Sequence, residues 1–135
     1  MNGLREHARA WIAKGDNDLS TARLILRGSG PLDTASFHCQ QAAEKYLKAL
    51  VAYAGQPIPR THNLVLILGE CRGPYPKLEL QEAEISKLTP YAVELRYDLT
   101  FTPDRARIEQ AIALAERVRA KVLAVLPSDL PAAQT

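Results

Sequence analysis

Hydrophobic and polar positions recur with a helical period along almost the whole chain. From Leu4 to Arg27 the apolar set is Leu4, Ala8, Trp11, Ile12, Leu19, Ala22 and Leu26, with Gly15 on the same side. This three-and-four spacing predicts one long amphipathic helix. Gly15 costs it about 1 kcal/mol relative to alanine, so either the helix bends there or the missing side chain admits another helix. Trp11 reads as core filling. Gly28-Ser29-Gly30-Pro31 stops the helix and turns the chain. A second helix starts near Pro31 or Leu32. Over Asp33 to Ala54 it separates into an apolar side (Cys39, Ala43, Tyr46, Leu47, Leu50, Ala54) and a narrow polar stripe (His38, Gln41, Lys45, Lys48), with Glu44 at its edge.

Gly55-Gln56-Pro57-Ile58-Pro59 ends that helix in an extended loop. Thr61 is the N-cap candidate for a short third helix, His62 to Leu68, whose continuous apolarity predicts deep burial. A buried strand could also produce LVLIL, but no second strand pattern exists to pair with it. Gly73-Pro74-Tyr75-Pro76 closes this segment. Leu78 to Leu88 reads as a helix with Leu78, Ala83 or Ile85, and Leu88 inward. Pro90 interrupts it, so Thr89 is expected to cap an offset piece from Pro90 to Tyr97. Thr102-Pro103-Asp104 starts a last helix that runs to about Leu126, with Ile108, Ala111, Ile112, Ala115, Val118 and Val122 on one side. Pro127 ends it. The expectation is an all-α, up-and-down antiparallel bundle of four to five helices over residues 1–127, followed by a mobile tail at 128–135.

The chain has 135 residues, 47% hydrophobic and 24% charged, enough for one domain with a core that needs no staples. Its net charge of +2 is too small to hold nucleic acid by bulk electrostatics, so any basic surface is local and DNA binding is not expected. No apolar run approaches the roughly 20 residues that span a bilayer. The N-terminus, MNGLREHARAWIAKG, has no signal-peptide core, so a cytoplasmic protein away from the membrane is expected. Cys39 and Cys71 belong to no Cys-x-x-Cys pair and read as buried free thiols. The three histidines and two cysteines lie too far apart for a metal site, and no cofactor is implied. Phosphate-binding glycine loops and the Gly-x-Ser-x-Gly elbow are absent. Glu82/Glu84 and Asp16/Asp18 are spaced by two, which puts each pair on different helix faces.

What remains is the stripe on the second helix. An imidazole, an amide and two ammonium groups beside a carboxylate suit a phosphate or a partner's carboxylate; a plainly solvated face is the alternative. Arg96 and Tyr97 follow the interrupted helix, where Arg96 could bind an anion or pair with Glu94 or Glu44. His62, at a helix start, could be a local cap or lie among N–H groups that favour anions. Arg105, Arg107, Arg117, Arg119 and Lys121 give the last helix a basic outer side, expected to be solvated and laced with Glu109 and Glu116 pairs.

Four stretches in order, WIAKGDNDLSTARLIL, SFHCQQAAEKYLKALV, THNLVLIL and YAVELRYD, resemble the HEPN domain family. Phe37, Gln41, Glu44, Lys45, Lys48, Ala49 and Leu50 fit its second-helix pattern, and Thr61, His62, Asn63 and Leu64 fit the start of its next helix. Arg96 and Tyr97 match an Arg-Tyr-Pro-like element, with Asp98 where proline is common. The resemblance covers about Arg5 to Leu126. It implies a helical bundle that homodimerises, binds a nucleotide or RNA, and accompanies a minimal nucleotidyltransferase, often as a toxin–antitoxin pair. Some members are metal-independent ribonucleases carrying Arg, four to six residues, then His. Here that motif is absent: the required positions before His38 are Pro31, Leu32 and Asp33, before His62 they are Gly55, Gln56 and Pro57, and after Arg96 they are Phe101, Thr102 and Pro103. The ligand-binding candidates are therefore His38, Gln41, Glu44, Lys45, Lys48, Arg96 and Tyr97. The alternatives are a ribonuclease using Arg96 with His62 or His38, and a bundle that only docks a protein partner.

Overall fold

A computed structural model describes residues 2–92, 99–100 and 102–130. Among them are five helices: α1 (Asn2–Arg27), α2 (Leu32–Tyr53), α3 (Leu64–Arg72), α4 (Glu82–Ile85) and α5 (Arg105–Val125). Residues 90–92 are helical as well. The expected all-helical bundle forms.

The first turn folds α2 back along α1. Gly30 lies against Ile25, Gly15 against Tyr46, and Gly55 against Leu4, so the order of contacts reverses and the pair is antiparallel. α5 is antiparallel to α1 in the same way, through Arg105 on the Leu26 carbonyl, Arg119 on Asp16 and Arg5 on Asp129. The Gly55–Pro59 loop instead carries the chain back beside α2. From there His62 meets Glu44, Cys71 meets the Leu47 carbonyl and Tyr75 meets the Leu50 carbonyl. Contacts advance in the same order along both segments.

α2 is thus surrounded. α1, α3 and α5 all pack on it, and its buried residues run from Ala35 and Ser36 through Gln40, Glu44 and Lys48 to Val51 and Ala52. The two-faced helix read from the sequence is a central helix. Its run of alanines (Ala35, Ala42, Ala43, Ala49, Ala52) is what lets neighbours approach from several sides. Gly15 resolves likewise: a Cβ there would sit 2.7 Å from Cε1 of Tyr46, so the glycine admits the ring of α2.

Several boundaries differ from the sequence reading. The cap of α3 is Asn63, whose Oδ1 accepts from the N–H groups of Val65 (3.0 Å) and Leu66 (3.3 Å). Thr61 Oγ1 accepts only from the Asn63 N–H, so the helix starts later and His62 stays outside it. α3 is not buried throughout, because Leu66 is 59% exposed while Leu64, Ile67 and Leu68 are fully buried. The expected helix from Leu78 to Leu88 shrinks to Glu82–Ile85. Leu78 and Leu80 are both buried between exposed Glu79 and Gln81, an alternation that belongs to extended chain. Arg72 donates to the carbonyls of Leu78 and Leu80, which replaces the helical partners they lack. Thr89 does not act as the expected cap among the described residues, where its buried hydroxyl has no hydrogen-bond partner. Successive i-to-i+3 bonds, Leu88 to Ile85 and Tyr91 to Leu88, carry the chain through that point.

The last helix matches expectation closely, with Asp104 Oδ1 accepting from the Arg107 N–H at 2.8 Å. Ile108, Ala111, Ile112, Ala115, Val118 and Val122 are its buried residues. The packed chain continues past 127, since Leu130 is buried and its carbonyl accepts from Arg9 at 2.8 Å. Both cysteines are buried free thiols, and burial pushes the pKa of each up to about 12. No helix among the described residues is long and apolar enough to cross a membrane.

Candidate functional site

The polar stripe of α2 is built into a seam with α1 and with the loop before α3. Two nearly buried carboxylates organise it. Asp18 of α1, 7% exposed, accepts from Lys45 Nζ at 2.5 Å and faces His38 Nδ1 at 2.8 Å. Glu44 of α2, 3% exposed, accepts from Lys48 Nζ at 2.8 Å and faces His62 Nδ1 at 3.0 Å. Gln40, fully buried, belongs to the Glu44 group. Its amide donates to the His62 carbonyl at 3.0 Å and to Glu44 at 3.3 Å, while its oxygen accepts from Gln41 at 2.7 Å. Lys48 also lies 5.6 Å from the ring centre of Trp11, whose indole N–H reaches His7. Trp11 therefore packs against the core and covers a buried cation as well.

This arrangement corrects the open cationic stripe suggested by the sequence. Both lysines are matched by carboxylates, and Lys48 is as buried as a core residue. A buried charge without a partner is costly, so the pairs hold each other in place. What the seam offers outward is narrower. His38 and His62 turn Nδ1 inward, and neither Nε2 has a partner among the described residues. Lys45 has given one of its three N–H groups to Asp18. A carboxylate on Nδ1 fixes the ring and favours the tautomer whose Nε2 accepts a proton. His38 and Lys45 are thus brought together on Asp18, and Gln41, Glu44, Lys48 and His62 form a second group through Gln40. Arg96 and Tyr97 lie outside the described residues, as does the suggested Arg96–Glu94 pair. Glu44, the other partner considered for Arg96, is occupied by Lys48, Gln40 and His62.

Asp18 and Gln40 were not singled out by the sequence reading, although a signal existed. Asp18 follows Gly15 by three and precedes Ala22 by four, on the inward stripe of α1. Gln40 precedes Ala43 and Leu47 at helical spacing on α2. A polar group on an apolar stripe demands a partner from the facing element.

On the other side of α1, Asp16 joins three helices. Tyr46 donates its hydroxyl to Asp16 at 2.5 Å, and Arg119 of α5 donates to both Asp16 oxygens at 2.8 and 3.3 Å. Burial, and then this bond, push the Tyr46 hydroxyl well above the usual phenol range. The hydrogen bond to Asp16 likewise holds Arg119 above its ordinary value. Asp16 and Asp18 do serve different faces. The basic side of α5 reaches across to other elements rather than along its own helix: Arg117 to Glu84, Lys121 to Glu79, and Glu116 to Arg23.

Comparison with known proteins fits this geometry. The HEPN domain family matches residues 8–125, which takes in both halves of the seam, Asp18 on α1 and His38 to His62. The crystal structure of TT1696 from Thermus thermophilus superposes with a TM-score of 0.76 at 26% identity, covering 89% of this chain and 98% of that one. No curated protein matches. The family match spans most of the sequence and all five helices contribute to it, so the chain belongs to the HEPN domain family.

Proposed function

We propose that this HEPN domain is a binding partner rather than a catalyst. It acts as a homodimer that engages a nucleotide or RNA phosphate at the outer edge of the α1–α2 seam and pairs with a minimal nucleotidyltransferase, as one half of a toxin–antitoxin-type pair. The observation that supports the site is the posture of His38 and Lys45 on one buried carboxylate. Asp18 fixes both groups while the imidazole Nε2 and the remaining ammonium N–H groups stay outward, two donors for one phosphate once the ring is protonated. Because Asp18 and Glu44 neutralise much of the local charge, binding is modest and salt-sensitive. The missing Arg-x4–6-His motif speaks for a non-catalytic role. Titration with ATP and with a short RNA at low salt tests this. Saturable binding that weakens in Lys45→Ala is expected, together with co-purification of the nucleotidyltransferase. Absence of saturable binding to either ligand contradicts the reading.

One observation favours a second reading, a metal-independent ribonuclease. A histidine held by a carboxylate on Nδ1 is oriented as a general base, and both His38 and His62 are so held. Arg96 would then hold the phosphate. RNA cleavage in EDTA that disappears in Arg96→Ala and in His38→Ala or His62→Ala would establish the nuclease and displace the binding role.

A further inference from the structure

Hydrogen bonding inside the α1–α2 seam fixes a polarity that reaches its outer surface. The fully buried Gln40 faces two acceptors, the His62 carbonyl at 3.0 Å and Glu44 Oε1 at 3.3 Å. Its amide nitrogen must therefore point at them, which turns its oxygen the other way. That oxygen lies 2.7 Å from Gln41 Nε2, so the neighbouring amide in turn presents a donor there. Gln41 is half-buried. It keeps Oε1 and its second N–H, neither of which has a partner among the described residues. A buried carbonyl thus decides which end of an outer amide is free.

Phe37 precedes Gln41 by four residues and Lys45 follows it by four, so the three stand a turn apart along α2. Phe37 is also half-buried. It meets the His38 ring edge-on, with centroids 5.7 Å apart and planes at 71°. An aromatic ring therefore adjoins the histidine assigned to phosphate, and such a ring takes a nucleic-acid base on its face. The Gln41 amide beside it offers an acceptor next to a donor. Adenine presents the matching edge, an exocyclic amine next to a ring nitrogen, and glutamine pairs with it at both points. Cytosine carries the same pair on a smaller ring. Hypoxanthine has a carbonyl oxygen in place of the amine and would set it against Gln41 Oε1.

We propose that the outer edge of the seam reads an amino base, adenine or cytosine, attached to the phosphate. The base lies on Phe37, Gln41 Oε1 accepts from its exocyclic amine, and the phosphate meets His38 and Lys45. This rests on the phosphate-binding role proposed for those two residues and adds the base to it. A free nucleotide and an unpaired nucleotide in RNA share this chemistry.

Calorimetric titration of the full chain with ATP, ITP and inorganic triphosphate tests the proposal. ITP alters the amine and keeps the fused rings; triphosphate lacks the base altogether. ATP is expected to bind about tenfold tighter than either. The ATP-to-ITP ratio should fall to about one in Gln41→Ala, and the ATP-to-triphosphate ratio to about one in Phe37→Leu, which keeps an apolar side chain. Each is a ratio within one variant, so a loss of folded protein does not move it. The tighter of ATP and CTP names the base, and the tighter of ATP and hexaadenylate RNA names its source. Equal binding of ATP, ITP and triphosphate, weakened in Lys45→Ala, overturns the base contact and leaves the phosphate role standing. An ATP-to-ITP preference that survives Gln41→Ala overturns the part given to the amide. A preference that needs Gln41 and Phe37 but ignores Lys45→Ala upholds the base contact and removes the phosphate role. Failure of all three ligands to saturate overturns both.

Discussion

Replacing Gly15 by alanine sets two well-calibrated effects against each other. In an isolated helix interior the change stabilises by about 1 kcal/mol, through lower unfolded-state entropy and better helix propensity. Here the new methyl would lie 2.7 Å from Cε1 and 2.9 Å from Cδ1 of Tyr46, well inside contact distance. The ring has little freedom to yield, because Tyr46 is fully buried and its hydroxyl is bonded to Asp16, which Arg119 also holds. Overpacking of this kind costs roughly 1–3 kcal/mol. With two ring carbons inside contact distance the upper half of that range applies, and the net expectation is a loss of about 1–2 kcal/mol. For a chain of this size that lowers the melting temperature by roughly 4–8 °C. Urea denaturation of Gly15→Ala measures the loss. The same substitution in a Tyr46→Leu background, where the ring is gone, should be neutral or stabilising by up to about 1 kcal/mol. Equal effects in both backgrounds, or stabilisation in the wild type, would refute the claim that Gly15 exists to admit the Tyr46 ring.

Three other outcomes follow from the same geometry. Glu44→Ala leaves Lys48 buried beside Trp11 without its carboxylate and should cost about 3–5 kcal/mol by urea denaturation, whereas the double replacement Glu44→Leu/Lys48→Leu should recover most of it; equal losses in single and double variants would contradict the pairing. Asn63→Ala should lose about 1 kcal/mol by removing the α3 cap, and Thr61→Ala clearly less, so a larger effect at Thr61 would return the cap to that residue. Stability should also fall as pH rises above about 9, because the unfolded thiols titrate near 8.5 while burial holds folded Cys39 and Cys71 up to about 12. The folded state then binds more protons than the unfolded one, so each thiol contributes a loss of about 1.4 kcal/mol per pH unit across that window, and Tyr46 joins above about pH 10. The denaturation midpoint measured from roughly pH 8 to 10.5 should drop, and less so in Cys39→Ala; a flat profile would show the thiols to be solvated.

The helical architecture was readable because α1 and α5 keep their apolar residues in strict three-and-four register, and the inward set of α5 was identified residue by residue. The environment of α2 was not. A run of alanines is weakly apolar on a wheel, yet in the bundle it permits close approach from several sides, which turns an apparent outer stripe into an interior seam. The charges on that stripe could be seen, but their partners could not: Asp18 lies on another helix and the His62 contact arises from a loop return that no local pattern encodes. The stretch expected to be helical from Leu78 misled for a related reason. The carbonyls of Leu78 and Leu80 are satisfied by the Arg72 side chain, an arrangement no local pattern encodes and one that frees the segment from being helical.

Phosphate binding at the outer edge of the α1–α2 seam is tested most directly by an NMR titration of the isotopically labelled chain with a short RNA at low salt. Progressive, saturable shifts centred on the His38 and His62 rings and the Lys45 side chain are expected, and they should vanish when salt is raised. Saturable RNA binding whose shifts spare those three residues, or no shift at all, would contradict the role given to the seam.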